Sequence, residues 1–224
     1  MQKESKASKT ASLRFENDYV AAGRRVIIGM DEAGRGSLAG PVAAGAVALP
    51  LHRDDLSNVL KGARDSKEMN PIQRLAVDGV IKDIALTWGI GHGSAKEIDD
   101  YGIIGATKLA MQRALNDALE RRPVVPDCLF LDYLPWPEQR DYPVCSIVKG
   151  DKLSLSIACA SIIAKVWRDK FMTVLDDRFP EYGFAQNKGY GTRAHLEALD
   201  RHGPCRYHRA SFKPVREQMS ACTV

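Results

Sequence analysis

Four acidic side chains stand at or just past the ends of apolar runs. Asp31 and Glu32 follow Val26-Ile27-Ile28-Gly29-Met30, Asp132 follows Cys128-Leu129-Phe130-Leu131, and Asp151 follows the run Tyr142 to Val148 across Lys149-Gly150. Short apolar runs bounded by turn residues read as buried strands. Ligand sites form where neighbouring strands terminate, so these acids can converge. Converging carboxylates repel one another unless cations sit among them. Hard divalent cations take oxygen ligands. Two such ions roughly 3.5–4 Å apart are the usual arrangement for phosphodiester cleavage, one activating a water and the other stabilising the leaving oxygen. The chemistry suggested is metal-dependent hydrolysis, with Asp31, Glu32, Asp132 and Asp151 as candidate ligands.

Adjacent strand residues point to opposite faces. Asp31 and Glu32 therefore share a site only if the strand ends there and the backbone bends, as the turn Gly34-Arg35-Gly36 suggests. The plain alternative is a solvated loop carrying two exposed acids. Other motifs fare worse. Asp-Glu-Ala after a strand resembles a Walker B box, but the chain contains no Gly-Lys pair for the phosphate loop. Gly34-Arg35-Gly36-Ser37-Leu38-Ala39 fits a loose dinucleotide fingerprint, yet Gly40-Pro41 and another strand-like run follow where a helix is needed. No Gly-x-Ser-x-Gly elbow exists for a serine hydrolase, and no His/Cys cluster competes as a zinc site.

The elements that must position the acids follow from periodicity. Phe15 to Ala22 reads as a short helix. Residues 26–30 and 42–49 read as two strands of an antiparallel hairpin. Leu51 to Lys61 is polar and irregular, with at most one helical turn. Asn70-Pro71 starts a helix, with Ile72, Leu75, Val80, Ile81 and Ile84 as its apolar stripe. A third strand spans 85–91, and Glu97 to Tyr101 is a short acidic helix or turn. Ile103 to Leu119 is a helix striped by Ile104, Thr107, Met111, Leu115 and Ala118. Strands at 128–131 and 142–148 precede a long helix over 153–177, whose first half is small enough to lie close against a sheet. The order is that of an α/β fold with a mixed sheet.

The 224 residues, 45% hydrophobic, suffice for one sizeable core, and the net charge of +4 is compatible with nucleic acid. Residues 1–14 read as a flexible N-terminal tail, 15–178 as the catalytic domain and 179–224 as a C-terminal helical extension. The five cysteines lack metal spacing and read as reduced thiols of a cytoplasmic protein. No run is long enough to cross a bilayer, and nothing demands more than a monomer.

Asp31-Glu32-Ala33-Gly34-Arg35-Gly36 resembles the signature of type-2 ribonuclease H, ribonuclease HII. Also similar to that family, and in its order, are Asp65-Ser66-Lys67, Leu131-Asp132, Lys149-Gly150-Asp151, the run Ala160 to Asp169, Tyr182-Gly183-Phe184, Lys188-Gly189-Tyr190-Gly191-Thr192 and Ser211-Phe212-Lys213-Pro214-Val215. The resemblance implies a ribonuclease H-like mixed sheet flanked by helices, with a small C-terminal helical extension that contributes to substrate binding. It implies a Mg²⁺- or Mn²⁺-dependent endonuclease with a two-metal site. Its substrates would be the RNA strand of RNA–DNA hybrids and single ribonucleotides embedded in duplex DNA. The latter would be cut on the 5′ side to leave 3′-OH and 5′-phosphate ends, a role in ribonucleotide removal from DNA. Carried over, Asp31, Glu32, Asp132 and Asp151 are the metal-binding, catalytic carboxylates, Gly34, Arg35 and Gly36 read the ribose 2′-OH, and Tyr190 stacks on the following deoxyribose. Two departures stand out: Tyr133 replaces a frequent Gly and is followed by Leu134-Pro135-Trp136-Pro137, and Glu68-Met69 replaces a frequent Lys-Leu.

Several roles stay open on the residues alone. Arg35 is a substrate contact or a solvated turn residue, and Tyr190 a stacking or a packing ring. Lys149, Lys152, Lys165, Lys188, Arg193, Arg206, His208, Arg209 and Lys213 line a phosphate-backbone track or a solvated face. Asp169 reads as an ion-pair partner on a helix, Met111 and Trp167 as core, and Trp136 as loop packing. A non-catalytic hybrid-binding module and a phosphatase of small substrates are the rival functions.

Overall fold

The computed structural model describes residues 10–134 and 142–221. Five strands, β1 (Ile27–Ala33), β2 (Val42–Ala48), β3 (Thr87–Gly93), β4 (Cys128–Asp132) and β5 (Val144–Ile147), form one sheet in the order β3-β2-β1-β4-β5. The β1–β2 pair is antiparallel, as the hairpin expectation requires; β3 joins β2 antiparallel, and β4 and β5 extend the sheet in parallel. The helices are α1 (Arg14–Ala21), α2 (Leu56–Val59), α3 (Pro71–Ile84), α4 (Ala95–Arg121), α5 (Gly150–Leu153), α6 (Leu155–Asp176), α7 (Phe184–Asn187), α8 (Arg193–His202) and α9 (Lys213–Ala221). Strands β1 and β2 are buried almost throughout, which explains their continuous apolar runs. One core joins the sheet to α4, and a second joins it to α6, α2 and α3.

Both large helices approach the sheet unusually closely, and the sequence shows how. Gly89, Gly91 and Gly93 alternate along one face of β3, opposite Ala106, Ala110, Ala114 and Ala118 of α4. Two residues of strand advance roughly 6.6 Å and four of helix roughly 6.0 Å, so the repeats match closely enough to interlock. A Cβ on Gly91 would strike the Ala110 carbonyl and the Ala114 nitrogen. On the other face, Gly29 of β1 and Gly45 of β2 lie against the main chain of α6 at Ser156 and Ala160. The small-residue first half of α6 thus lies against the sheet as expected.

The caps locate the helix starts. Asn70 and Gln73 close a capping box ahead of Pro71, and Ser94 and Glu97 close another on α4. Gly102, at φ 71°, breaks α4 between the short acidic helix and the long one. The long helix expected from 153 instead starts at Leu155, because Ser154 caps it by accepting from the Ile157 N–H and leaves Gly150–Leu153 as a separate turn. Two apolar stripes differ from expectation. Ile72 and Leu75 of α3 are 82% and 52% exposed. Its inward face is Arg74, Asp78 and Ile81, because the Arg74 guanidinium donates to the Ser66 and Met69 carbonyls. Ile104, on the first turn after the Gly102 break, is exposed, whereas Thr107, Met111, Leu115 and Ala118 are buried.

The chain after Phe179 forms a 3₁₀ turn (Pro180–Tyr182) followed by α7, α8 and α9. It seats Tyr182, Phe184 and Ala198 on Met172 and Leu175 of α6 and on Ala39. At the other terminus Ala11 donates to the Ala63 carbonyl and the Ser12 hydroxyl to that of Leu153. Residues 1–9, Pro135–Pro137 with Trp136, and Cys222 lie outside the described residues.

Gly91→Ala should destabilise the protein by about 1–3 kcal/mol in urea unfolding, because backbone on the facing helix cannot yield to the methyl. The exposed α3 residue Gly79, whose Cβ would meet nothing, is the control, and Gly79→Ala should be neutral or stabilising by up to ~1 kcal/mol. An unaffected Gly91→Ala protein would contradict the close approach of β3 and α4.

Candidate metal centre and active site

Strand β1 does not end before its acids. Pairing continues through Asp31↔Gly45, Glu32↔Ala44 and Ala33↔Ala43, which corrects the expectation of a bend at the carboxylates. On the continuing pleat the two side chains diverge. Asp31, 5% exposed, joins Asp132 and Asp151: each offers an oxygen, and the three oxygens lie within 4.8 Å of one another. Asp132 is the last residue of β4, which runs parallel to β1. Asp151 lies on α5, which Lys149 introduces in the left-handed conformation (φ 58°). The Gly150 N–H donates to Asp132 Oδ1 at 2.8 Å and ties that turn to the strand end. Asp31 accepts from the Glu32 N–H at 2.7 Å, and the nearby Ser161 hydroxyl of α6 partly opposes the rise of its carboxyl. The Ser161 Oγ lies 2.9 Å from Ser66 Oγ.

Glu32 lines an adjoining cleft of about 430 Å³ with Gly34, Ser66, Lys67, Lys165 and Tyr190. Arg35 donates to its Oε1 at 3.1 Å, while Oε2 is buried without a hydrogen-bond partner among the described residues. Burial and the charges of Glu32 and Asp132 push the Asp31 carboxyl well above its usual range. Burial also raises Glu32, with Arg35 opposing and Asp132 adding to the shift. Burial, Asp65 and Asp132 raise Asp151 to about 6. Burial pulls the Lys67 ammonium down, but Asp31, Asp65, Asp151 and Glu32 outweigh it and raise it. An all-oxygen donor set, mutual repulsion and one orphaned buried oxygen fit a hard divalent cation.

The loop 34–41 is held from within. Gly34 has φ +91°, and a Cβ there would collide with the Arg168 guanidinium. Arg168 and Arg209 are fully buried, and neither forms an ion pair among the described residues. Instead Arg168 donates to the carbonyls of Ala39, Pro41 and Lys188. Arg209 donates to those of Gly34, Arg35 and Gly40. The Leu38 N–H donates to the Gly189 carbonyl at 2.8 Å. Tyr190 thereby stands at the cleft, its ring centroid 5.6 Å from Arg168 Cζ and 5.8 Å from Lys165 Nζ. Gly36 differs from Gly34: a Cβ there would meet nothing.

Arg209 and His208, read from sequence as lining either a phosphate track or a solvated face, are buried and bonded inside the fold, so they line neither. Lys149, Lys152, Lys165, Lys188, Arg193, Arg206 and Lys213 remain exposed or half-exposed. Asp169 forms ion pairs with Lys165 at 2.8 Å and Arg74 at 3.4 Å. Met111 is core, whereas Trp167 is half-buried and stacks between His92 and Phe171. Glu68, the acid at a frequent lysine position, pairs with Lys152 at 2.7 Å. Sequence reasoning gave no roles to Ser66, Lys67 and Ser161, and left Lys165 between a phosphate-backbone track and a solvated face. The first two had a signal in Asp65-Ser66-Lys67 ahead of a helix start, but Ser161 is hidden in the small-residue run of α6.

The family model described as Ribonuclease HII matches residues 28–215. The chain belongs to the ribonuclease HII family. Ribonuclease HII of Synechococcus sp. (strain JA-3-3Ab) is 48% identical over 206 residues, 92% of this chain and 90% of that protein. The crystal structure of ribonuclease H2 from Pyrococcus horikoshii OT3 superposes with a TM-score of 0.73 at 24% identity, covering 88% of this chain and 98% of that one. That of Bst-RNase HIII in complex with Mn²⁺ gives 0.70 at 18%, covering 97% and 72%. The fold is therefore the ribonuclease H-like mixed sheet flanked by helices. As a ribonuclease HII, the protein is an endoribonuclease of the ribonuclease H type, in a family dependent on divalent metal. Among the described residues no helix is long and apolar enough to cross a membrane.

The raised carboxyl of Asp151 has a stability consequence. A folded-state pKa of about 6, against an unfolded value of ~3.9, contributes stability that is complete below pH ~4 and lost as pH rises through 6. In chelator, Asp151→Asn should therefore gain in Tm relative to the parent protein between pH 4 and 7. Mn²⁺ at neutral pH should raise the parent's Tm more than the variant's. A Tm difference constant with pH would contradict the crowding of these acids.

Proposed function

We propose that this ribonuclease HII hydrolyses the RNA strand of RNA–DNA hybrids and cuts 5′ to single ribonucleotides embedded in duplex DNA, leaving 3′-OH and 5′-phosphate ends. The observation that carries the reading is the Asp31, Asp132 and Asp151 trio within 4.8 Å beside a cleft bearing Glu32, Gly34 and Tyr190. Asp31, Glu32, Asp132 and Asp151 would hold two Mg²⁺ or Mn²⁺ ions, with Glu32 Oε2, which has no hydrogen-bond partner among the described residues, as a spare oxygen donor. When bound, such ions supply charge to a phosphodiester in transit and acidify an attacking water.

The chain's own residues orient the substrate. Distinguishing RNA from DNA at one nucleotide means reading the 2′-OH. With the Gly34 and Arg35 carbonyls engaged by Arg209, the Arg35 and Gly36 main chain can face a sugar, and Gly36 leaves open the space a side chain would fill. The Tyr190 ring packs flat on a sugar without a 2′-hydroxyl and so favours deoxyribose past the cut. Lys67 and Lys165, on the cleft wall, suit phosphate oxygens. The C-terminal extension contributes Tyr190 and the arginine that shapes the 34–41 loop.

Duplex DNA with one ribonucleotide should be cut at that position only with Mg²⁺ or Mn²⁺ present. No metal-dependent product would sink the proposal. Asp132→Asn should abolish cutting while hybrid binding persists in chelator. Gly36→Ala should fold with an unchanged Tm yet lose ~10²-fold in kcat/KM, because its methyl meets substrate and no protein atom. Tyr190→Ala should weaken cutting at a ribonucleotide–deoxyribonucleotide junction more than inside a long hybrid; equal losses would remove the stacking role.

A further inference from the structure

Behind Tyr190 lie two buried histidines that the chemistry above leaves unused. His195, 0% exposed, is in the first turn of α8, which Thr192 caps by accepting from its N–H. The Cys205 N–H lies 3.0 Å from His208 Nδ1. His208 Nε2 lies 3.1 Å from His195 Nε2, and His195 Nδ1 lies 2.9 Å from the Tyr190 carbonyl oxygen.

The two ends of this chain fix its protons. A backbone N–H only donates, so His208 Nδ1 accepts and its hydrogen sits on Nε2. That hydrogen points at His195 Nε2, which must accept, leaving the His195 hydrogen on Nδ1. There it meets a carbonyl, which only accepts. One direction of donation satisfies every partner: a cationic His195 would put two hydrogens into the 3.1 Å gap, and a cationic His208 would set an Nδ1 hydrogen against the Cys205 N–H at 3.0 Å. The surroundings favour neutral rings. The Tyr182 ring lies 4.8 Å from that of His208, and the Phe184 ring 5.4 Å from that of His195. Burial lowers both imidazoles, His208 to about 4. Tyr190 itself sits between Gly189 and Gly191, a backbone with little preference of its own. Its carbonyl is shared by the Thr192 N–H at 2.8 Å and by His195.

We propose that His195 and His208 are positioning residues, a neutral two-ring relay that anchors the Tyr190 main chain and so sets its ring against the sugar beyond the cut. The relay extends the stacking reading of Tyr190 and rests on it. It ties specificity to packing in the C-terminal extension, since Cys205 at the far end follows α8.

Nitrogen-15 NMR of the unmodified protein at neutral pH tests the relay directly. His195 should carry its hydrogen on Nδ1 and His208 on Nε2; the opposite tautomers, or charged rings, overturn the proposal. Kinetics on a single-ribonucleotide duplex and on a long hybrid then separate positioning from folding. His195→Phe should lower kcat at the junction roughly 10-fold or more, with a smaller loss on the hybrid. His195→Asn, whose amide nitrogen replaces Nδ1–H, should recover most of it. In a Tyr190→Ala background His195→Phe should add nothing further. An equal loss in both backgrounds overturns the relay while leaving the stacking role intact. A Tyr190→Ala enzyme that cuts the junction like the parent overturns the stacking role itself, and the relay's function with it.

Discussion

Crowding of like charge is the constraint around which this protein is built. Asp31, Asp132 and Asp151 are held within a few ångströms by segments distant in sequence, and Glu32 and Asp65 add to the same field. Isolated carboxylates in such a place take up protons instead of staying ionised, which is the direction seen for Asp31, Glu32 and Asp151. Apolar burial along β1 and β4 must outweigh that cost. The arrangement is useful because divalent cations reverse its sign and turn repulsion into affinity.

Holding acids in place requires a frame that does not relax. The frame is two helices pressed onto the sheet at glycines, with α6 on Gly29 and Gly45 and α4 on the glycine rank of β3. Close packing brings the α6 hydroxyl of Ser161 near Asp31, where it opposes the rise of that carboxyl, and within 2.9 Å of Ser66 Oγ. The second device is cationic. Buried guanidinium groups of Arg168 and Arg209 satisfy themselves on main-chain carbonyls of the 34–41 loop. They fix an irregular segment that has no ladder to hold it. Frame and loop meet at Lys188 and Gly189, so α6, the 34–41 loop and the Tyr190 segment are fixed by one network.

Much of this was legible in the sequence, and the exceptions are instructive. Strand runs, the helix start at Asn70-Pro71, and the separation of the short acidic segment 97–101 from the helix at 103–119 are local signals, and they survive into the fold. The acid-terminated runs were readable because carboxylates seldom follow apolar strands without reason. What failed was non-local. That β1 continues past its acids depends on partners in β2, which periodicity does not report. Ile72 and Leu75 look like a core stripe, but Arg74 is drawn inward by carbonyls outside its helix. Arg209 and His208 look like cationic surface because composition does not reveal that main-chain oxygens and a second imidazole await them. Ser161 is one small residue among many.

The central claim is that these acids form a pocket for paired cations. Anomalous diffraction from crystals equilibrated with Mn²⁺ and a non-cleavable ribonucleotide-containing duplex tests it most directly. Two anomalous peaks roughly 4 Å apart should appear, one among Asp31, Asp132 and Asp151 and one reaching Glu32 Oε2. Peaks located elsewhere, or no peak at these carboxylates with substrate bound, would contradict the account.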